Sequence, residues 1–542
     1  MNSSPSVLRD FTVDHRVWLL SGVAIGIGIC ATGLAVILLR LIAISTNLFY
    51  YHRFSAVTVS PAGSPLGLWM ILVPIAGGLI VGFMARFGSD KIRGHGIPEA
   101  IEAILLHRAK VQPKIAILKP ISAAIAIGSG GPFGAEGPII MTGGAFGSLV
   151  AQWMHVTDAE RTTLLVAGAA AGMSATFATP VAAILLAVEL LLFEWRPRSL
   201  VPVAIASTTA ALLRVYWLGP GPLFQMPALP DSISILTALG ALGFGTVLGL
   251  VAAAMSRMMY AFEDLFERLE HHFHVHWMWW PALGGIGIGV GGYFFPRGLG
   301  VGYDNIAQLL QGNAGIDLIL GILVAKSLMW AFSLGSGTSG GVLAPLLMIG
   351  GAVGALFAHL AHATPEAQAF WALLGMGSML AGALGVPLTA ILFSIEVTHC
   401  LPALLPLALA CIAAYLVTAL LTPRSILTEK LSRRGYHLSR EYGVDPLELV
   451  IVRDVMTPSP EPISVTEQPS FVTYADSTAR SAAELMSTQG LGVIPVLDRE
   501  TNQIAGTLTL HDLLRGRSHS IVRENERLRL INYLSPEEGG HN

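Results

Sequence analysis

The chain has 542 residues, 53% of them hydrophobic and only 12% charged, with a mean hydropathy of +0.64 and a formal net charge of −3. Soluble domains carry roughly 25% charged residues, so a single water-soluble core is excluded. The balanced charge offers no basic footprint for nucleic acid, and the three cysteines Cys30, Cys400 and Cys411, all in apolar runs and without CxxC spacing, argue against a disulfide framework or a zinc site.

Charge is unevenly spread: of the 67 Asp, Glu, Lys and Arg residues, 26 lie in the last 112 positions. The organisation expected is a short tail over 1–15, a membrane part over 16–436, and a tail of ordinary soluble composition over 437–542. The first apolar run, residues 17–39, holds 23 residues without a charge. A bilayer-spanning helix needs about 20 and the core of a secretory signal only about 7–15, so the run predicts a membrane helix and not a cleaved signal. Charge-free stretches follow at 54–85, 137–157, 162–188, 232–256, 273–296, 327–365, 367–395 and 397–423, with shorter apolar runs near 115–130, 199–213 and 315–325. About ten or more membrane segments are predicted. Many are interrupted by Gly and Pro, which is tolerated at membrane depth only where the backbone is buried in protein or lines a cavity. Arg86, Lys91, Arg93, Arg108, Lys110, Lys114, Arg196, Arg198, Arg433 and Arg434 gather in loops that the positive-inside rule assigns to the cytoplasm, together with both termini. His271, His272, His274 and His276 invite a metal reading, but Trp277, Trp279 and Trp280 follow at once, and the stretch reads as an interfacial belt between two helices.

An internal repeat carries more information than any single element. Residues 128–138 read GSGGPFGAEGP and residues 335–345 read GSGTSGGVLAP; Gly128, Ser129, Gly130, Gly134 and Pro138 match Gly335, Ser336, Gly337, Gly341 and Pro345 at an offset of 207. Pro180, Ala183, Ile184, Leu185 and Glu189 match Pro387, Ala390, Ile391, Leu392 and Glu396 at the same offset of 207. The membrane part is therefore two related halves, about 16–216 and 233–436, joined within 216–232. Duplicated halves with interrupted helices point to a transporter with a site near mid-membrane.

Each glycine-rich break precedes an apolar helical run, so freed N–H groups and the positive end of a helix dipole face into it. Neither break contains Lys or Arg, which suits weak binding of a monovalent anion that must also leave. Glu136, in the first break, is an ionisable group at membrane depth and a functional candidate by default. Its carboxylate is expected to occupy the same positive pocket as the anion, so that protonation or displacement opens the path.

With these residues in view, the chain is identified as a member of the CLC chloride channel and transporter family. GSGGPFGAEGP resembles the family's GSGxxxGxEGP signature, GVLAP at 341–345 its second anion-binding loop, and GHGIPEA at 94–100 its first, over about 13–436. The resemblance implies an all-α polytopic membrane protein of two inverted-repeat halves of broken and tilted helices, working as a homodimer with one chloride path per subunit. It implies Glu136 as the gate, and anion contacts at His95, Gly96, Ile97, Gly134, Ala135, Gly137, Val342 and Leu343. No catalytic or metal set is implied, nor any required cofactor. The setting expected is the plasma (inner) membrane.

Three positions depart from the family pattern. His95 stands where a serine usually contacts the anion, and its imidazole N–H is still a donor. Leu427 stands at the inner-gate tyrosine. Leu190 stands where proton-coupled members often carry a second acid, next to Glu189. A proton crossing ~30 Å of hydrocarbon needs titratable relays or water, so Leu190 favours channel-like or uncoupled flow, with a chloride/proton antiporter of the same fold as the alternative. Glu189, recurring as Glu396, reads as structural.

In the tail, TARSAAELMSTQG has helical spacing, GVIPVLD and IAGTLTL read as strands, and HDLLRG opens another helix. This resembles one CBS module, a small α/β domain, over about 453–517. GTLTLHD fits the module's nucleotide-contact pattern, which would place an adenine nucleotide at Thr509 and Asp512; a structural dimerisation domain is the leading reading. The last residues, ending SPEEGGHN, are expected to lack order. Functions of two other classes fit the residues less well. A serine hydrolase using Ser129 or Ser336 needs a base within reach, and no His lies within or just after either GSG. A nucleotide sensor without transport leaves the duplicated breaks unexplained.

Overall fold

The computed structural model describes residues 15–229, 234–433, 447, 450–463, 471–501 and 503–525. The predicted N-terminal tail, part of the linker between the halves, Arg434 and the C-terminal stretch after 525 lie outside the described residues. The chain divides into two compact units, Met1–Arg440 and Glu441–Asn542.

The first unit is helical throughout. Among the described residues, eight helices are long and apolar enough to cross a membrane: Arg16–Tyr51, Gly67–Phe87, Pro197–Leu218, Ile235–Phe273, Ile316–Gly335, Leu343–Leu360, Pro365–Leu384 and Leu401–Leu421. Shorter apolar helices, Pro180–Leu192 and Pro387–Thr398, lie between them. The first helix runs 36 residues, beyond the apolar run 17–39. Arg40, which ends that run, is solvent-accessible and does not interrupt the helix; the helix stops where His52 turns left-handed.

The repeat is visible in how the halves touch. The helices Leu72–Phe87 and Trp280–Phe294 cross through glycines. A side chain at Gly78 would overlap the Pro281 carbonyl, and one at Gly285 would overlap the Pro74 carbonyl, each residue of the exchange being 207 positions from its counterpart. The same close approach joins Gly143 to Gly168 in one half and Gly350 to Gly375 in the other. Such crossings need residues without side chains, because van der Waals contact has to do in lipid what apolar burial does in water.

Glu189 and Glu396 lock the two halves reciprocally. Glu396 accepts the N–H groups of Val181 (2.9 Å) and Ala182 (2.8 Å), at the start of the helix opened by Pro180. Glu189 accepts those of Leu388 (3.1 Å) and Thr389 (2.8 Å), at the start of Pro387–Thr398, and the Thr389 hydroxyl (2.6 Å). Each carboxylate thus caps the other half's broken helix, satisfying two amides that helix geometry leaves without partners. The pair is not identical in detail: around Glu189 the chain widens into a π-helical stretch, Ala187–Leu192, while Pro387–Thr398 stays α.

The second unit is a four-stranded sheet with helices. The strand order is Thr457–Ile463, Ile504–Thr509, Val493–Leu497, Thr473–Tyr474; the outer short pair is parallel and the others antiparallel. Val452, Ala479, Ala482, Met486, Ile494, Val496 and Leu508 form its core. The helix Ala479–Gln489 contributes the face that its sequence spacing predicts.

Replacing Glu396 by Ala leaves the amides of Val181 and Ala182 without acceptors and is expected to cost about 1–3 kcal/mol. The check is the thermal midpoint of the detergent-solubilised protein. Glu396→Ala should lower it clearly, and Glu396→Gln, which keeps one acceptor oxygen, should lower it less.

Candidate functional site

Three glycine-rich segments that are far apart in sequence meet inside the first unit. Gly134 donates its N–H to the Gly341 carbonyl (3.2 Å) and Gly341 donates its N–H to the Gly134 carbonyl (2.9 Å), so the two GSG breaks form a one-residue antiparallel bridge. Gly94 of the GHGIPEA segment donates to Thr338 O (3.0 Å) and accepts from Gly340 (3.4 Å). Ser122 Oγ donates to Ser339 Oγ (3.1 Å). Gly137 lies so close to the His95 carbonyl that a Cβ there would overlap it. These bonds and contacts leave little freedom to the backbone around the meeting point.

The helix starts face the same place. Glu136 opens the helix Glu136–Gln152 after Ala135, and Leu343 opens Leu343–Leu360 after Val342. Ile97 opens Ile97–Leu106 after Gly96, which holds φ at +90°, a value that only glycine adopts without strain. Val342, Leu343, Ala135 and Ile97 are all fully or almost fully buried.

Glu136 sits at the meeting point, fully buried. Its carboxylate lies between Gly134 and Gly341, and a Cβ on Gly134 would overlap its Oε2. The amides of Glu136 itself and of Ala344 are turned towards it, yet neither carboxylate oxygen has a partner in hydrogen-bonding geometry. A buried carboxylate with both oxygens unpartnered is costly and rare, and it marks a group positioned for something other than stability.

The inner loop is built differently from the expectation in one respect. The resemblance implies an anion contact at Gly96, but its N–H is already donated to Glu99 Oε2 (2.9 Å), while Glu99 Oε1 pairs with Lys430 (2.7 Å). The third residue of the helix supplies the acceptor that the first amides lack, so Gly96 shapes the loop and offers no free donor. His95 is buried at 3% exposure and its Nδ1 has no partner. A cavity of about 480 Å³, lined in part by Arg93, Glu99, Glu263 and Lys430, adjoins this loop.

Leu190 and Leu427 are both fully buried in the main apolar core. The segment carrying Leu427 is fixed by Ile426, which donates its N–H to Ala383 O (3.1 Å) and accepts the Tyr260 hydroxyl (2.6 Å). The hydroxyls of Ser129 and Ser336 donate to Ala126 O (3.1 Å) and Ser333 O (2.6 Å), which is helix capping. Among the described residues no group of three or more His, Cys, Asp or Glu side chains is arranged to hold a metal. The tryptophans after the histidines are more than a belt: Trp280 is buried, and the Arg93 guanidinium lies over the rings of Trp277 (4.6 Å) and Trp280 (5.5 Å). In the second unit Thr509 and Asp512 come together, Asp512 Oδ2 accepting the N–H (3.0 Å) and hydroxyl (2.7 Å) of Thr509, with Arg515 on Oδ1 (3.0 Å).

Two residues of the site were not read from the sequence. Lys119, fully buried, donates to Ile92 O (2.8 Å) and Gly94 O (2.7 Å), and Lys326, fully buried, donates to Gly298 O (3.1 Å) and Gly300 O (3.0 Å). They are 207 residues apart, so the offset already found for the glycine motifs marks both lysines.

Comparison with known proteins follows the same lines. The family model described as voltage gated chloride channel matches residues 77–419, and the CBS domain model matches 452–519. An H(+)/Cl(-) exchange transporter of Salmonella paratyphi A is 29% identical over 365 residues, 65% of this chain and 76% of that protein. Chloride channel protein CLC-f of Arabidopsis thaliana is 29% identical over 442 residues, 74% of this chain and 54% of that one. The crystal structure of a slow cyanobacterial Cl-/H+ antiporter shares the fold, with a TM-score of 0.67 and 21% identity over 78% of this chain and 99% of that one.

Replacing Lys119 by Met would leave the carbonyls of Ile92 and Gly94 buried without their donor, at about 1–3 kcal/mol for each stranded group. Lys119→Met is therefore expected to lose most of its monodisperse peak on size-exclusion chromatography. Lys119→Arg, which keeps the charge and the donors, should retain more of it.

Proposed function

The chain belongs to the voltage gated chloride channel family, the CLC proteins, and from that premise we propose that it passes chloride-like monovalent anions across a membrane, gated by Glu136. The observation that carries this reading is the Glu136 carboxylate, buried and unpartnered between the two glycine breaks. An anion at that place meets helix starts, while the N–H donors of the nearby Lys119 ammonium are taken up by carbonyls. Binding is then weak enough to allow passage, as conduction requires. Gly134, Ala135 and Gly137 shape the outer break, Val342 and Leu343 the second, and His95 and Ile97 the inner loop. Leu427 is the apolar inner gate.

Flow is channel-like or uncoupled in this reading. Leu190 offers no titratable group, and the apolar core around it gives a proton no relay on that side. A specific observation favours the second reading, a chloride/proton antiporter: a relative 29% identical over 65% of this chain is an H(+)/Cl(-) exchange transporter. Water replacing the missing acid would reconcile the two.

The working unit proposed is a homodimer in the plasma (inner) membrane, each subunit with its own path, with both termini cytoplasmic. The halves about 16–216 and 233–436 form the path, and the module at about 453–517 regulates or dimerises it. An adenine nucleotide at Thr509 and Asp512 is part of the proposal. The bonds these two make to one another also cap the helix Leu510–Asn525, so a nucleotide would have to share Asp512 with that cap. Calorimetric titration of the full chain with ATP tests it: Asp512→Asn should abolish binding that the native chain shows, and no heat from the native chain would leave dimerisation as the module's role.

The main test is chloride efflux from liposomes holding the purified protein, with internal pH recorded at the same time. Flux is expected to rise as pH falls, because a proton on Glu136 removes the charge that holds it in the pocket. Glu136→Gln should conduct at its full rate with no pH dependence. A variant with the native pH dependence would remove Glu136 from the gate. Proton movement opposite to chloride in fixed ratio would select the antiporter.

A further inference from the structure

The loop that follows the helix Ile97–Leu106 is tied firmly to the protein, yet its charged side chains stay outside. Arg108 and Ala109 are consecutive and both left-handed, with φ of +52° and +56°. Neither is glycine, so the turn is strained. Two neighbouring helices hold it. From Glu136–Gln152, the Ser148 hydroxyl donates to Ala109 O (2.6 Å) and accepts the Val111 N–H (3.1 Å), and Gln152 donates to Val111 O (3.1 Å). From Asp158–Phe177, Arg161 donates to Arg108 O (3.1 Å). His107, Arg108 and Lys110 all remain exposed. A strained backbone fixed by buried partners presents its outer side chains in one arrangement.

A cavity of about 520 Å³ opens beside this loop. Lys91, His107, Arg108 and Lys110 line one side of it, together with the acids Glu99 and Glu102. Both acids are already engaged. Glu102 pairs with Lys91 and lies 3.7 Å from His107 Nε2, and Glu99 binds Lys430 and the Gly96 N–H. Arg108 has a long surface pair with Asp158 (3.6 Å), and Lys110 meets no acid among the described residues. The charge left over in the cavity is therefore positive. Its other side is apolar, formed by Ala103, Leu106, Val111, Ile115 and Met141.

The surroundings place this cavity at a bilayer surface. The helix Pro113–Gly128 starts from the loop, and its Ile117 and Ile121 are exposed. Phe83 and Phe87 of the helix Leu72–Phe87 are exposed as well, and that helix ends against it, where Gly88 meets Leu118. Apolar side chains turned outward on membrane helices face lipid, and Lys and Arg just beyond them lie at headgroup level. The cavity is far larger than a halide needs and of the size that holds a small organic molecule. A basic side and an apolar side together match a ligand with a phosphate at one end and hydrocarbon at the other.

We propose that this cavity is a headgroup site for an anionic phospholipid of the surrounding bilayer. Arg108 and Lys110 hold the lipid phosphate, and Leu106, Val111 and Ile115 take the glycerol end of its chains. Because the loop is already fixed by Ser148, Gln152 and Arg161, little backbone freedom is lost on binding.

The experiment follows the thermal midpoint of the purified full-length protein in detergent as dioctanoyl phosphatidylglycerol is added. A ligand that binds only the folded protein raises the midpoint by mass action, so the curve yields an affinity. Arg108→Gln combined with Lys110→Gln should weaken that affinity at least about tenfold, since each removes a charge-assisted hydrogen bond. Both side chains are exposed, so the lipid-free midpoint should stay native. Lys110→Gln alone, which breaks no ion pair among the described residues, carries the same test if the double variant does not fold. Lys114→Gln removes an exposed charge that does not line the cavity, and the affinity should not change. No shift in the native protein, or native affinity in the double variant, would overturn the site. So would an equal loss with Lys114→Gln, because diffuse surface charge would then account for the binding. An equal shift with dioctanoyl phosphatidylcholine would overturn recognition of the anionic headgroup, and an equal shift with inorganic phosphate would overturn the lipid as occupant.

Discussion

The paired hydrogen bonds between Gly134 and Gly341 are the constraint on which the membrane unit depends. A helix broken inside hydrocarbon exposes amides and carbonyls that lipid cannot satisfy. This chain breaks helices in both halves, and each half supplies what the other lacks. Gly134 and Gly341 exchange backbone bonds, and Glu189 and Glu396 exchange caps. The breaks are stable only together, which explains why one repeat alone would carry an unsatisfied backbone. The crossing then fixes the helix starts of Glu136–Gln152 and Leu343–Leu360 within one small volume.

Electrostatics follows from that geometry. Helix starts supply the donors that face the path, while the two fully buried lysines nearby spend their N–H groups on carbonyls and act on the path only through their charge. Lys119 and Lys326 each hold a loop of the shape that precedes a helix start. A buried ammonium is tolerated only when its protons are matched in this way. Their removal would strand carbonyls, so their role in the path is to shape it. Glu136 stands out against this background as a buried carboxylate whose oxygens have no partner in hydrogen-bonding geometry.

The sequence carried the fold class through two signals, apolar runs of spanning length and a repeat at constant offset. It also carried the motifs that meet in space, since GSGGPFGAEGP and GSGTSGGVLAP are the segments joined at Gly134 and Gly341. What it did not carry was how the amides are used. Gly96 lies in a glycine-rich segment like the others, yet Glu99, three residues on, takes its N–H. Lys119 and Lys326 were hidden for another reason: a single lysine in an apolar run looks like the end of a span, and only the offset of 207 shared with the glycines singles it out.

An anion is expected to occupy the crossing of the two breaks when Glu136 is not charged. Anomalous diffraction from bromide-soaked crystals of Glu136→Gln tests it most directly. A bromide peak is expected between Gly134 and Gly341, near the amides that begin the helices Glu136–Gln152 and Leu343–Leu360. An empty crossing in crystals that hold bromide elsewhere along the membrane unit would contradict it.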